Sequence, residues 1–351
     1  MKIVLTGGGT AGHVMPNLAL LPALKRADAT ALYIGNPSGM EYGLCAKEDI
    51  PFYPCKSIKF DRVKWWKNLA IPFVLPSCIR EAKHILQQTR PDAVFSKGGY
   101  VALPVILAAK KLHVPVVCHE SDTTLGLANR IGAKFAAAML VSDPDTPAPC
   151  KTICVGNPIR ERIFHGNADI VRKRHNIPPD RRIVLVVGGS LGAMAINNTL
   201  VEALDTLCRT DTVIHICGKQ FTPPTHDNYH AIAFVDDIEN YYAAADVVVS
   251  RCGAGASGEL TALHKRVVYI PLPSDRSRGD QIRNARQLAD RRLAVVLPQN
   301  ELTPVSLCVN IERARNMQLA DCPYPRSTPD IIVAHIVRVA NNSDANDTSK
   351  R

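Results

Sequence analysis

The residues with chemistry to offer are glycine-rich turns set beside histidines and carboxylates. Gly7, Gly9 and Gly12 satisfy G-x-G-x-x-G directly after the apolar run 2–6, and His13 follows at the expected start of a helix. Bare backbone there can approach an anionic or sugar ligand. A helix dipole would lower the proton affinity of His13 and keep it neutral, able to act as a base; a capping or packing role suits the same position. Gly188-Gly189-Ser190-Leu191-Gly192-Ala193 places amides and a hydroxyl at a second helix start, an arrangement that favours phosphate. Lys97-Gly98-Gly99-Tyr100 adds a lysine beside open amides. Gly253-Ala254-Gly255-Ala256-Ser257-Gly258 runs into Glu259, a carboxylate suited to accept from both ribose hydroxyls of a nucleotide. His119-Glu120-Ser121-Asp122 would present three ionisable side chains at a strand end.

These turns need strands to hold them. Apolar runs at 2–6, 31–34, 93–96, 114–119, 138–141 and 152–155, then at 183–187, 213–217, 231–234, 247–250, 267–270 and 294–297, alternate with helical stretches. That alternation predicts an α/β chain with parallel sheets. The run Lys2 to Gly12 is echoed by Arg182 to Gly192, each opening one half, so two βαβ domains are expected to face a cleft, with a boundary near Asn157-Pro158. A dinucleotide site wants an acid closing the second strand. Ile34-Gly35-Asn36-Pro37 offers none before Glu41, which disfavours NAD.

Composition sets the limits. With 351 residues, 46% hydrophobic and 21% charged, most of the chain cannot be disordered. The eleven cysteines lie mostly singly in apolar runs, and the close pair Cys150 and Cys154 has no partner pair for zinc, so a reduced, cytosolic protein without a bound metal is expected. No signal-peptide core is evident after Lys2, and 69–76 is too short and proline-rich to span a bilayer.

The net charge of +10 is uneven: residues 1–158 hold 18 Lys+Arg against 11 Asp+Glu. Lys56, Lys59, Arg62, Lys64, Lys67, Arg80, Lys83 and Arg90 interleave with Trp65, Trp66, Phe73 and Leu75, against only Asp61 and Glu81. That mixture points to an anionic membrane surface rather than to nucleic acid. Pro72 and Pro76 argue against one continuous helix, so a helix–loop patch is expected.

Taken in order, Gly7 to His13, Gly98-Gly99-Tyr100, His119 to Asp122, Gly156-Asn157-Pro158-Ile159-Arg160, Gly188 to Ala193 and Arg251 to Glu259 resemble the MurG family over about residues 1–340. The resemblance implies a two-domain GT-B fold and, without any cofactor, inverting transfer of GlcNAc from UDP-GlcNAc to the C4 hydroxyl of the MurNAc unit of lipid I, giving lipid II. It implies an acceptor- and membrane-associating Rossmann-like domain over 1–158, a UDP-GlcNAc-binding one over 159–325, and a C-terminal helix over 326–351 that packs back on the first and ends in a frayed tail. His13 becomes the candidate base, with His119 and Glu120 next. Thr10, Ala11 and Gly12 would lie by the donor sugar, and Gly98, Gly99, Tyr100, Asp122 and Asn129 would contact substrate. Arg160 and Ser190 would hold the diphosphate and sugar, Val235 the uracil, Glu259 the ribose and Gln281 the GlcNAc hydroxyls. A peripheral position at the cytoplasmic face of the cell membrane follows, with room for other cell-wall synthesis proteins as partners. Ser121-Asp122, Asp280-Gln281 and Leu191 depart from the common family pattern and leave the sugar contact of Asp122 open, since a carboxylate cannot donate. Another GT-B enzyme, such as a glycolipid glycosyltransferase or a UDP-GlcNAc epimerase, would share the second-half turns.

Overall fold

The structure is a computed structural model describing residues 1–59, 65–189, 192–274, 279–321 and 329–348. The chain divides into two compact units, Met1–Arg160 with Tyr324–Arg351, and Glu161–Pro323.

The first unit is built on seven strands, β1 (Lys2–Thr6), β2 (Thr30–Gly35), β3 (Phe52–Pro54), β4 (Ala93–Ser96), β5 (Val116–Glu120), β6 (Ala138–Val141) and β7 (Thr152–Cys154). They lie parallel in the order β3-β2-β1-β4-β5-β6-β7. Both faces are covered, so the strands read as unbroken apolar runs. Period-2 alternation then sorts their side chains. Ile3, Leu5, Tyr33, Phe95, Val117 and Leu140 enter one core cluster. Val4, Leu32, Ile34, Val94, Val116 and Met139 enter the other, against Ala82, Ile85 and Leu86 of helix Ile71–Thr89. Ile332, Val333, Ile336 and Ala340 of the last helix, Pro329–Thr348, belong to the first of these clusters.

The second unit holds β8 (Arg182–Val187), β9 (Asp211–Ile216), β10 (Tyr229–Ile232), β11 (Val247–Ser250), β12 (Val267–Tyr269) and β13 (Val295–Val296), parallel in the order β10-β9-β8-β11-β12-β13. Val184, Val186, Val247 and Val249 pack against Ile196, Leu200 and Leu204 of helix Met194–Leu207 and Leu307 and Ile311 of helix Pro304–Asn316. In both units the strand order reverses beside the opening strand, between β1 and β4 and between β8 and β11. Ligands of open α/β sheets gather at the carboxyl ends of strands at such switch points. All four glycine turns leave from those four strands.

Among the differences from the sequence reading, three have a plain physical reason. The edge strand β3 was not expected, because Phe52-Tyr53-Pro54 is too short to show a period. β10 lies two residues earlier than 231–234, its register being set by Tyr229 pairing with Val213. Pro72 and Pro76 do not break their helix, which runs unbroken from Ile71 to Thr89 after a 3-10 turn over Trp65–Ala70. Pro72 sits in the first turn, where the missing N–H has no intrahelical partner, and Pro76 gives up a single bond in the next turn.

Candidate active site

In the first unit β1 delivers its chain into Gly7, and helix Ala11–Leu18 begins after Thr10. Thr10 is the extended N-cap residue, yet its hydroxyl makes no cap bond to the backbone; instead Oγ1 lies 2.9 Å from Nδ1 of His13. Ala11 and Gly12 form the turn between them. The neighbouring glycines are wedged against protein. A methyl group added at Gly99 would stand 2.6 Å from the Gly8 carbonyl oxygen and 3.3 Å from His13 Nδ1; one at Gly98 would stand 2.9 Å from Asn129 Nδ2; one at Gly9, which has φ +84°, would strike the Tyr100 ring. Thr10, His13, Gly98, Gly99, Tyr100 and Asn129 therefore share one locality, although their residues span three strand-end turns.

Glu41 was read only as an acid too distant to serve the second strand. It is fully buried, and its Oε1 accepts from the Asn36 N–H at 3.2 Å, just past the end of β2. It does reach that strand end, but from beneath the glycine turn: a methyl at Gly8 would be 2.5 Å from Oε1. A carboxylate enclosed in this way is not presented to a ribose.

His119, Glu120 and Lys97 need correcting as residues facing a ligand. His119 is fully buried. Its Nδ1 lies 2.7 Å from Lys97 Nζ, which can only donate, so the ring proton sits on Nε2 and is donated to the Gly156 carbonyl at 2.8 Å. Burial and the Lys97 charge hold its pKa well below the ordinary histidine value. Both nitrogens are thus committed. Glu120 accepts from the Ser121 and Asp122 N–H groups at 3.0 and 3.2 Å through Oε1, and from Gly126 N–H and Asn129 Nδ2 at 2.9 and 3.0 Å through Oε2. It shapes the turn that carries the half-buried Asp122. Lys97, read as an anion contact beside open amides, is 1% exposed and points at His119 and at Ser121 Oγ, 2.6 Å away. Arg160 closes the first unit and is half-buried.

The second unit handles its glycines differently. Ser190 and Leu191 lie outside the described residues. Around them Gly188 and Gly192 are crowded, the latter by the Cys217 carbonyl, but Gly189, at φ +91°, faces open space. Gly253, the extended N-cap of helix Ala254–Ala262, and Gly255 are equally open. Glu259 lies in the second turn of that helix and is half-buried, as is Val235 between β10 and helix Ile238–Ala244. Gln281, in the first turn of helix Asp280–Asp290, uses its Oε1 to accept from the Leu272 N–H at 2.9 Å. Under the turn after β8, Asn197 donates to the Cys217 carbonyl at 2.9 Å, which orients its oxygen to accept from His215 Nε2 at 3.0 Å. His215 Nδ1 accepts from the Tyr229 hydroxyl at 2.8 Å, and burial pushes its pKa down to about 4.

Sequence reasoning gave Glu41 no place in the first glycine turn and overlooked Asn197 and His215. Polar residues inside otherwise apolar runs, such as His215 between Ile214 and Ile216, were the available signal. Among the described residues no group of three or more His, Cys, Asp or Glu side chains could hold a metal ion, and the ten described cysteines are free thiols.

The glycosyltransferase family 28 N-terminal domain model matches residues 3–141, and the family 28 C-terminal domain model matches 183–335. A Geobacillus kaustophilus protein named UDP-N-acetylglucosamine–N-acetylmuramyl-(pentapeptide) pyrophosphoryl-undecaprenol N-acetylglucosamine transferase is 39% identical over 354 residues, covering 96% of this chain and 99% of its own. The protein of the same name from Lachnoclostridium phytofermentans is 42% identical over 318 residues, 87% of this chain and 88% of that one. The crystal structure of Acinetobacter baumannii MurG superposes with a TM-score of 0.75 at 27% identity, covering 96% of this chain and 99% of that one. With both domain models matched and these relatives aligned over most of their length, the chain belongs to glycosyltransferase family 28 and, within it, to the UDP-N-acetylglucosamine–N-acetylmuramyl-(pentapeptide) pyrophosphoryl-undecaprenol N-acetylglucosamine transferases.

Proposed function

We propose that this protein transfers GlcNAc from UDP-GlcNAc to the C4 hydroxyl of MurNAc in a lipid-linked acceptor, lipid I, with inversion. The observation that carries the reading is the 39% identity to a relative of that activity across 96% of the chain. The chemistry is a single displacement. The acceptor oxygen bonds to the anomeric carbon as the bond from that carbon to the diphosphate oxygen breaks; the hydroxyl proton passes to a base and the electron pair leaves with UDP.

His13 is the base in this reading. With Nδ1–H donating to Thr10 Oγ1, the lone pair resides on Nε2, and Thr10 sets the ring orientation. His119 and Glu120 support the turn beside it, their acceptor positions being already used. Donor binding falls to the second unit. Amides at the starts of helices Met194–Leu207 and Ala254–Ala262 meet the diphosphate, assisted by Ser190, and the bare surface at Gly189, Gly253 and Gly255 lets the ligand approach backbone. Glu259 takes the ribose, Val235 the uracil and Gln281 the sugar hydroxyls. Purified protein given UDP-GlcNAc and a lipid I analogue should yield the disaccharide product and UDP. Acceptor-independent release of N-acetylmannosamine would favour the epimerase reading instead.

The lipid-linked acceptor requires docking to a bilayer, since no helix among the described residues is long and apolar enough to cross one. Phe73 is 82% exposed, Leu69 66% and Trp66 55%, on the 3-10 turn and first turns of helix Ile71–Thr89, whose other face packs Cys78, Ala82 and Leu86 into the core. Arg80 and Lys83 follow on the same helix and Lys59 precedes the turn in the chain, while Arg62 and Lys64 lie outside the described residues. Each cation near an anionic surface contributes about 1 kcal/mol. Co-sedimentation should require vesicles containing anionic lipid, fall as salt rises, and weaken on Trp66→Ala/Phe73→Ala. Unchanged binding by that variant would move the membrane face elsewhere.

A further inference from the structure

Among the described residues of the first unit Lys97 is the most deeply buried lysine or arginine, and the chemistry above does not use it. It follows β4, and its N–H donates to the Thr6 carbonyl at 2.9 Å. Its side chain passes Gly7: a methyl group there would lie 3.1 Å from Lys97 Cβ. Nζ ends between His119 Nδ1 at 2.7 Å and Ser121 Oγ at 2.6 Å. From those two contacts the network spreads. His119 donates to Gly156, after β7, and Ser121 accepts at its carbonyl from Ser142 Oγ at 2.7 Å, after β6. One ammonium therefore ties together the turns that leave β4, β5, β6 and β7.

Burying a lysine this completely is costly and lowers its pKa to about 8; the negative charges of Glu120 and Asp122 oppose that fall. A core position that needed only apolar packing would be filled at less cost by methionine or leucine. Nζ also reaches no exposed surface on which an anion could sit. What the site retains is directional: a donor that fixes the His119 proton on Nε2 and holds the Ser121-Asp122 turn in a single orientation.

We propose that Lys97 is a positioning residue for the sugar acceptor, clamping the Ser121-Asp122 turn and the His119 ring so that the first unit presents one preformed acceptor surface. This rests on the acceptor reading of the first unit made above. Removing the clamp loosens acceptor recognition without touching donor recognition, because among the described residues the hydrogen-bond partners of Nζ lie in the strand-end turns of the first unit.

The test compares wild type, Lys97→Met and Ser121→Ala, using a lipid I analogue as acceptor and UDP titration for the donor side. Loss of one such contact corresponds to roughly a tenfold rise in acceptor KM for Lys97→Met. A smaller rise is expected for Ser121→Ala, and the double variant should do no worse than Lys97→Met because both changes break one network. UDP affinity should stay within about twofold of wild type, as expected for sites without shared partners. Selective 15N-histidine spectra supply a readout that general loosening would not move: His119 should show the Nε2–H tautomer in wild type and lose its single state in Lys97→Met. If Lys97→Met does not fold, Ser121→Ala still decides, through acceptor KM set against UDP affinity. An unchanged acceptor KM with a sharp His119 resonance, or equal weakening of donor and acceptor, overturns the proposal. A wild-type protein that turns over UDP-GlcNAc but ignores the acceptor analogue overturns the acceptor reading itself, and the two failures are distinct.

Discussion

The two halves spend the same motif differently. After β1 and β4 most of the glycines are closed in: Gly8 above Glu41, Gly9 beneath Tyr100, Gly98 against Asn129 and Gly99 against the Gly8 carbonyl. After β8 and β11, Gly189, Gly253 and Gly255 border open space. The first set exists because turns and side chains must pass within van der Waals distance of one another, whereas no described residue outside the local chain comes within 4 Å of the place a methyl group would take on the second. A glycine motif in sequence therefore does not tell packing from binding; the occupant of the missing side chain's volume does.

The sharpest way to break this comparison is to remove the base from the closed half. His13→Gln should cut turnover by roughly 10²–10⁴-fold while UDP binding in the open half stays intact. If turnover held within a few-fold, the base would lie elsewhere and the closed half would be scaffold alone.

Both halves bury a neutral histidine, and acid should expose the shared cost. The His215 pKa lies at about 4 in the fold against 6.5 for the ordinary side chain, so between those values the unfolded chain binds the extra proton. The stabilisation is complete above pH 6.5 and lost as pH falls towards 4, about 3 kcal/mol in all. His119 is shifted in the same direction. Urea midpoints measured across this window should fall with acid, and His215→Gln should flatten the fall. A flat wild-type profile would show that neither histidine is held neutral.

In the open half, Glu259→Ala should weaken UDP binding by about 1.5–3 kcal/mol if the carboxylate bonds the ribose. Calorimetry with unchanged affinity would remove Glu259 from the site. The smallest effects come from the glycines themselves, and they should differ in sign. Gly9→Ala, at φ +84° under Tyr100, should cost about 1–2 kcal/mol of stability. Gly255→Ala, in a helix with nothing within reach, should add up to about 1 kcal/mol while weakening UDP-sugar affinity. Denaturation and donor titration on the same two variants give both readings. Equal destabilisation would erase the distinction between the halves.

The fold class lay in the sequence because a parallel sheet covered on both faces leaves a local trace: β1, β4, β6, β8 and β11 are runs of four to six mostly apolar residues, each followed by a turn that glycine or polar residues announce. The repeat of Lys2 to Gly12 at Arg182 to Gly192 gave two units for the same reason, and His13 could be placed at a helix start from its neighbours alone. Other assignments required the tertiary structure. Nothing local told that Lys97 turns inward to His119, that both of that histidine's nitrogens are taken, or that Glu41 fills the space beneath Gly8. Side-chain direction at a strand's end depends on which turn the next strand brings beside it, and those partners lie 22 and 24 residues from Lys97 in the chain. Local periodicity fixes where a strand ends. Only the packed sheet decides whether the polar residue at that end meets a ligand or another turn.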